Sequence, residues 1–152
     1  LGISRWPLEA LKFADQYLKE RDVPLLIYQD RLNLLDREPQ ENGVTQYCAD
    51  HGIGFISFSP LAQGLLTDRY LNGIPADSRM AKEQYLKHSA LTPELLERLK
   101  TWNAEAAERG ETLAEMALAW ILQQKGVTSV LVGASSVAQL EKNMKCVHAA
   151  DF

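Results

Sequence analysis

The sequence predicts an α/β chain organised on a parallel sheet, with enough strands for half of an eight-stranded barrel. Two observations carry this. Short apolar runs alternate with stretches of helical periodicity, and that alternation implies right-handed crossovers between parallel strands. The apolar runs are mostly unbroken by polar residues, the pattern of strands buried on both faces.

In chain order, the first run is Leu1 to Ser4. A helix follows, with Pro7 suited to its first turn and Leu8, Leu11, Ala14 and Leu18 forming one apolar stripe. Pro24 separates this helix from the second run, Leu25 to Gln29. Val44, Tyr47, Cys48 and His51 then recur at helical spacing, and Gly52 is a natural C-terminal cap. The third run is Gly54 to Phe58. The segment from Pro60 to Leu91, rich in Gly, Pro and Ser, is too long for a plain connector, and such loops are usually functional or disordered. Thr92-Pro93 opens a helix that ends near Arg109, before Gly110. Thr112 with Glu115 makes a capping-box pattern for the next, which ends near Lys125. The fourth run is Ser129 to Val132, and Ser136 with Gln139 repeats the capping-box pattern for the last helix.

Composition narrows the function classes. The 152 residues carry a net charge of −4 with both signs interspersed, which argues against a nucleic-acid or acidic-membrane partner. No apolar run reaches the roughly 18 residues that a membrane span requires. The two cysteines, Cys48 and Cys146, are too few for a disulfide framework and fit an intracellular, cytoplasmic setting. Both are expected to be buried small apolar groups. His51, His88 and His148 have no metal-ligand spacing, so no metal site is expected. The chain opens on Leu1, in what reads as the end of a strand, and the expectation is a piece of a longer protein.

Ligands of parallel α/β folds bind at the carboxyl ends of strands. Ser4, Arg5 and Trp6 follow the first strand, and Gln29, Asp30, Arg31 and Asn33 follow the second. Ser59-Pro60-Leu61-Ala62-Gln63-Gly64-Leu65-Leu66 follows the third. Gly133-Ala134-Ser135-Ser136 follows the fourth, with Gln139 and Asn143 on the next helix. This set is rich in neutral hydrogen-bonding groups and poor in acid–base pairs, which suits holding a polar ligand better than moving protons. Gly133 permits close backbone approach, and the helix opening at Ser136 offers free N–H groups to an anion. Arg69 and Arg79 could add planar, charged donors for phosphate. The plainer alternatives are that Ser135 and Ser136 only cap a helix and that both arginines are ordinary surface residues.

These motifs stand in the order of a known family. Gly2-Ile3-Ser4, Gln29 with Asn33-Leu34-Leu35, the Phe58 to Leu66 phrase, Asp77-Ser78-Arg79, and Val132-Gly133-Ala134-Ser135-Ser136 with Gln139 and Asn143 together resemble the aldo-keto reductases. The likeness is to the C-terminal half, strands five to eight, of their (β/α)8 TIM barrel. It is strongest to the branch of bacterial L-glyceraldehyde 3-phosphate reductases and potassium-channel β-subunits. The resemblance implies one partial barrel domain over residues 1–152, without its N-terminal half, from an NADPH-dependent reductase of small aldehydes or ketones, phosphorylated aldehydes included. By matching position, Ser4 and Gln29 would bind the nicotinamide carboxamide, with Arg5 beside them. Phe58 would lie under the nicotinamide ring. Ser59, Pro60, Leu61 and Gly64 would line the pyrophosphate, and Arg69 would stand near the phosphates. Arg79, Gly133, Ser135, Gln139 and Asn143 would hold the adenosine end and its 2′-phosphate.

The sequence also departs from that pattern. Arg5 stands where many relatives have Asn or Ser, and Asp30-Arg31-Leu32 replaces a Pro-containing, aromatic stretch. Lys142 stands where many relatives have an acid, and a lysine cannot accept a hydrogen bond from the adenine amino group. The family's catalytic Asp, Tyr, Lys and His belong to strands outside this sequence. Tyr17, Tyr28, Tyr47, Tyr70 and Tyr85 do not match the catalytic position, so no turnover is expected of these residues alone. Two alternatives stay open. One is a non-catalytic nucleotide-binding or channel-subunit-like interaction module. The other is an unrelated phosphate-binding isomerase barrel, for which Asp30 would be the carboxylate. A half barrel would expose two strand edges and an apolar face, which predicts self-association or poor solubility.

Overall fold

A computed structural model describes residues 1–83, 86–149 and 152. Four strands, β1 (Gly2–Ser4), β2 (Ile27–Arg31), β3 (Gly54–Phe58) and β4 (Val127–Val130), form one parallel sheet in the order β1-β2-β3-β4. Six α-helices are described: α1 (Leu8–Lys19), α2 (Glu38–Glu41), α3 (Val44–His51), α4 (Pro93–Glu108), α5 (Leu113–Leu122) and α6 (Val137–Met144). No helix among the described residues is long and apolar enough to cross a membrane. The residues group into two compact units, Leu1–Pro60 with Trp120–Gly133, and Leu61–Ala119 with Ala134–Phe152.

The first unit holds the whole sheet. Its strands are not buried on both faces as the apolar runs suggested. Tyr28, Phe55 and Ser57 are fully buried on one face, while β1 and β4 contain no buried residue. The expected stripe of α1 forms, with Leu11 and Ala14 buried and Leu8 and Leu18 partly so. Leu11, Tyr28, Val44, Cys48, Phe55 and Ile121 are the centre of the apolar core. Burial pushes the Cys48 thiol up to about 12, with Asp15 adding to the shift, so it behaves as an inert apolar group. Cys146, by contrast, is only half-buried, in a 3₁₀ turn after α6.

Asp15 joins α1 to α3. It is nearly fully buried and accepts from Lys19 Nζ at 2.8 Å and from the Tyr47 hydroxyl at 2.9 Å. Burial raises its carboxyl, but these two bonds outweigh that and hold it below the ordinary carboxylate value. Gly52 caps α3 in the left-handed region, its N–H reaching Cys48 O. Gly126, before β4, has φ +88°, and a Cβ there would stand 2.5 Å from Thr45 O, so the approach of this turn to α3 requires glycine.

Two strands are displaced from the sequence reading. Leu25 and Leu26 precede β2, although Leu26 N donates to Leu1 O and Leu26 O accepts from Gly54 N, and the strand instead takes in Asp30 and Arg31. Strand β4 begins two residues early, at Val127, and Leu131 and Val132 lie beyond its end, largely exposed. In the second unit, α4 and α5 carry their expected N-caps. Thr92 Oγ1 accepts from Leu95 N, and Thr112 and Glu115 bond reciprocally at 2.6 and 3.2 Å.

Candidate functional site

The sheet register sorts the strand-end residues by face. Ser4, Gln29, Ile56 and Ser129 form one row across the four strands, and Arg31 pairs with Phe58 in the next row of that face. The alternate residues, Ile3, Tyr28, Phe55 and Val127, with Asp30, Ser57 and Val130, turn to the helices. So three residues expected around a nicotinamide, Ser4, Gln29 and Phe58, share the face away from the helices. Ser4 is exposed, and Gln29 and Phe58 are partly so.

Irregular backbone bounds this face at the strand exits. Arg5 and Ser59 have φ of 57° and 51°, a region that residues with a side chain rarely occupy. Arg5 N donates to Gln29 O at 3.1 Å, extending the ladder past β1. Asn33 holds the exit of β3: its Nδ2 donates to Ser59 O at 3.0 Å, while its Oδ1 accepts from Leu35 N and Asp36 N. Asn33 is buried with these bonds made, so it organises the loop and is not a free ligand group. Pro60 is buried, and Gly133 lies exposed, with nothing near its missing Cβ.

On the opposite face, the Tyr28 hydroxyl lies 2.7 Å from Trp6 O and 3.0 Å from Asp30 Oδ2. Burial first, and Asp30 second, push its pKa far above the usual phenol value. Tyr47 is pushed up to about 12 by burial and by its bond to Asp15. Neither phenol is a proton donor for the open face. Asp30 also accepts from Arg31 N at 2.7 Å and lies 4.0 Å from Arg5 Nε, which leaves it engaged and poorly placed as the base of an isomerase.

Of the residues expected near phosphates and adenosine, Ser59, Pro60 and Gly133 belong to the first unit and the rest to the second. Leu61 O accepts from Gly64 N and Leu66 N, and Ala62, Gln63 and Gly64 all have positive φ. Thr67 Oγ1 donates to Gly64 O and accepts from Arg69 N. Arg69 is paired with Asp77 at 2.7 Å, and Arg79 is exposed. Ser136 Oγ accepts from Gln139 N as the pattern predicted, but the return arm goes elsewhere. Gln139 Oε1 accepts from Ser135 N at 2.7 Å and from Ser135 Oγ at 3.0 Å. Asn143 is buried, and its Nδ2 has no hydrogen-bond partner. An unpaired buried amide donor is costly, and a ligand acceptor would relieve it. Tyr85 lies outside the described residues.

In the first unit, Ser4, Gln29 and Phe58 have the chemistry to meet an amide and a flat ring. In the second unit, Asn143 carries a buried amide donor without a partner. The motifs of the sequence do not point to Ile56 and Ser129, which share the open face, nor to Asp36, which holds Arg31 at 3.3 Å. Two-residue alternation from Gln29 was the available signal for the face. No group of metal-ligating side chains is found among the described residues. A crevice of about 490 Å³ lies at the opposite, amino ends of β3 and β4, lined by Gly54, Gly126, Val127 and Thr128 among others, with no charged side chain.

The Aldo/keto reductase family model matches residues 1–151. The chain is 43% identical over 157 residues to the L-glyceraldehyde 3-phosphate reductase of Escherichia coli (strain K12), covering 100% of this chain and 45% of that protein. It is 35% identical over 150 residues to a probable voltage-gated potassium channel subunit beta of Arabidopsis thaliana, covering 96% of this chain and 46% of that one. The chain thus spans about half the length of these curated relatives. Among solved structures, a thermostable aldo-keto reductase crystallised with the inhibitor epalrestat superposes with a TM-score of 0.70 at 21% identity, over 99% of this chain and 43% of that chain.

Proposed function

Because the chain belongs to the aldo/keto reductase family, we propose that it is the NADPH-holding part of a reductase of small aldehydes, with phosphorylated three-carbon aldehydes as the leading class. The observation that carries this reading is the single uncovered face shared by Ser4, Gln29 and Phe58 at the carboxyl ends of parallel strands. Ser4 and Gln29 offer the donors and acceptors that an amide needs, and Phe58 offers a flat apolar surface. In the second unit, Leu61, Gly64 and Arg69 take the phosphates, and Arg79, Ser135, Gln139 and Asn143 the adenosine end. Arg69 would exchange Asp77 for phosphate, and Gln139 would exchange Ser135 for the ligand. NADPH, when bound, supplies the hydride. The 43% likeness to an L-glyceraldehyde 3-phosphate reductase supports the substrate class.

Residues 1–152 by themselves hold the cofactor without turning over. General acid catalysis requires a donor aimed at the carbonyl oxygen, and Tyr28 and Tyr47 are engaged on the helix side of the sheet. The test titrates this chain with NADPH, following the cofactor's fluorescence, and then adds glyceraldehyde or its 3-phosphate. Saturable binding with no NADPH oxidation is the expected result. Absence of binding overturns the cofactor reading, and turnover well above background overturns the division of labour. The likeness to a channel β-subunit favours a second reading, a nucleotide-binding interaction module. It predicts that a longer protein containing this sequence binds NADPH yet reduces no aldehyde. The outer edges of β1 and β4 pair with no described strand, so self-association belongs there, and a clean monomer in sedimentation would count against it.

A further inference from the structure

Arg31 is a charged residue of the open face. It stands two residues after Gln29 on β2, so both side chains rise from the same side of the sheet. It pairs in register with Phe58, and its guanidinium carbon lies 5.8 Å from the centre of that ring. Nη1 bonds to Asp36 Oδ2 at 3.3 Å, which uses one of five N–H donors, and the side chain stays 45% exposed. Asp36 is itself anchored, its N–H meeting Asn33 Oδ1 at 2.9 Å, and Asn33 is bonded in turn to Ser59. The cation is therefore held beside Phe58 by a loop whose own bonds are made. At the same rim, Arg5 is partnered with Asp30, which turns to the helix side.

The oxidised nicotinamide ring carries a positive charge, and the reduced ring is neutral. A fixed cation near the ring repels one form and leaves the other almost untouched. Resting on the proposal that the nicotinamide lies over Phe58, we propose that Arg31 sets the redox-state preference of this site, favouring NADPH over NADP⁺. Exposure, salt and the partial compensation by Asp36 leave an expected preference of about five- to tenfold in affinity.

The test measures the dissociation constants of NADPH and of NADP⁺ for the 152-residue chain and three variants at low ionic strength, with circular dichroism confirming the fold of each. In Arg31→Gln, the ratio of the NADP⁺ to the NADPH constant should fall about five- to tenfold, because only the oxidised form gains. Arg31→Lys should restore most of the ratio, which a purely geometric role of the guanidinium would not allow. Asp36→Asn should move the ratio the opposite way, since it leaves the cation uncompensated. An Arg31→Gln variant that weakens or strengthens both forms equally overturns the inference and leaves the cofactor reading standing. Binding of neither form by the unaltered chain overturns both.

Discussion

The two faces of the sheet use similar residue types to different ends. Phe55 points to the helices and is fully buried, stacked against Tyr28 with ring centroids 5.9 Å apart. Phe58, three residues later and on the other face, stays partly exposed under an arginine. Ser57 is buried and donates to Leu32 O at 2.8 Å, while Ser4 lies open. On the helix side, polar atoms are spent on holding chain segments together. On the open side, they remain available. Position in a two-residue alternation, not residue type, separates residues that make the fold from residues that can meet a ligand.

This contrast can be broken most severely at Phe55. Phe55→Ala should cost about 3–5 kcal/mol of stability, from lost burial and the cavity left behind, measured by denaturant unfolding. Gly126→Ala should cost on the order of 2–3 kcal/mol, since its φ disfavours a side chain and Thr45 O blocks the added methyl. The check is a lowered midpoint with an unchanged denaturant slope. Asp15→Asn should cost about 1–2 kcal/mol at neutral pH by weakening the buried bonds to Lys19 and Tyr47. The folded-state carboxyl is depressed, so its contribution is present above the usual carboxylate range, at about pH 4, and is lost as pH falls through the folded-state value. The gap between the parent chain and this variant should therefore narrow in acid. Phe58→Ala sharpens the comparison from the other side. It should cost less than about 1 kcal/mol in stability and about three- to tenfold in NADPH affinity. A large loss of stability there would mean that the open face is a second core.

Much of this architecture was legible because it follows from local chemistry. Strand β3 ends where apolar Phe58 meets Ser59-Pro60, and the capping pairs Thr112–Glu115 and Ser136–Gln139 announce their helices. The errors also have local causes. Leu25 and Leu26 are as apolar as any strand residue, but β2 begins at Ile27 and continues through charged Asp30 and Arg31. Helix α2 is a single turn opened by Glu38-Pro39, too short for periodicity to reveal. Burial on only one face was hidden because Ile27 and Ile56 are apolar on the open side. Within the candidate site, residue types marked Ser4, Gln29 and Asn143. That Ser135 bonds to Gln139 and Arg69 to Asp77 could not be read, because such pairings depend on how the loops fold back.

The bent backbone at Arg5 and Ser59 has a thermodynamic consequence. Folding itself installs these turns, and the bonds from Arg5 N to Gln29 O and from Asn33 to Ser59 O keep them in place. A molecule settling against this margin would not have to freeze a floppy segment as it arrives. Calorimetry of such an encounter should register little loss of chain entropy there, and a glycine at Ser59, by loosening the bend, would make that loss visible.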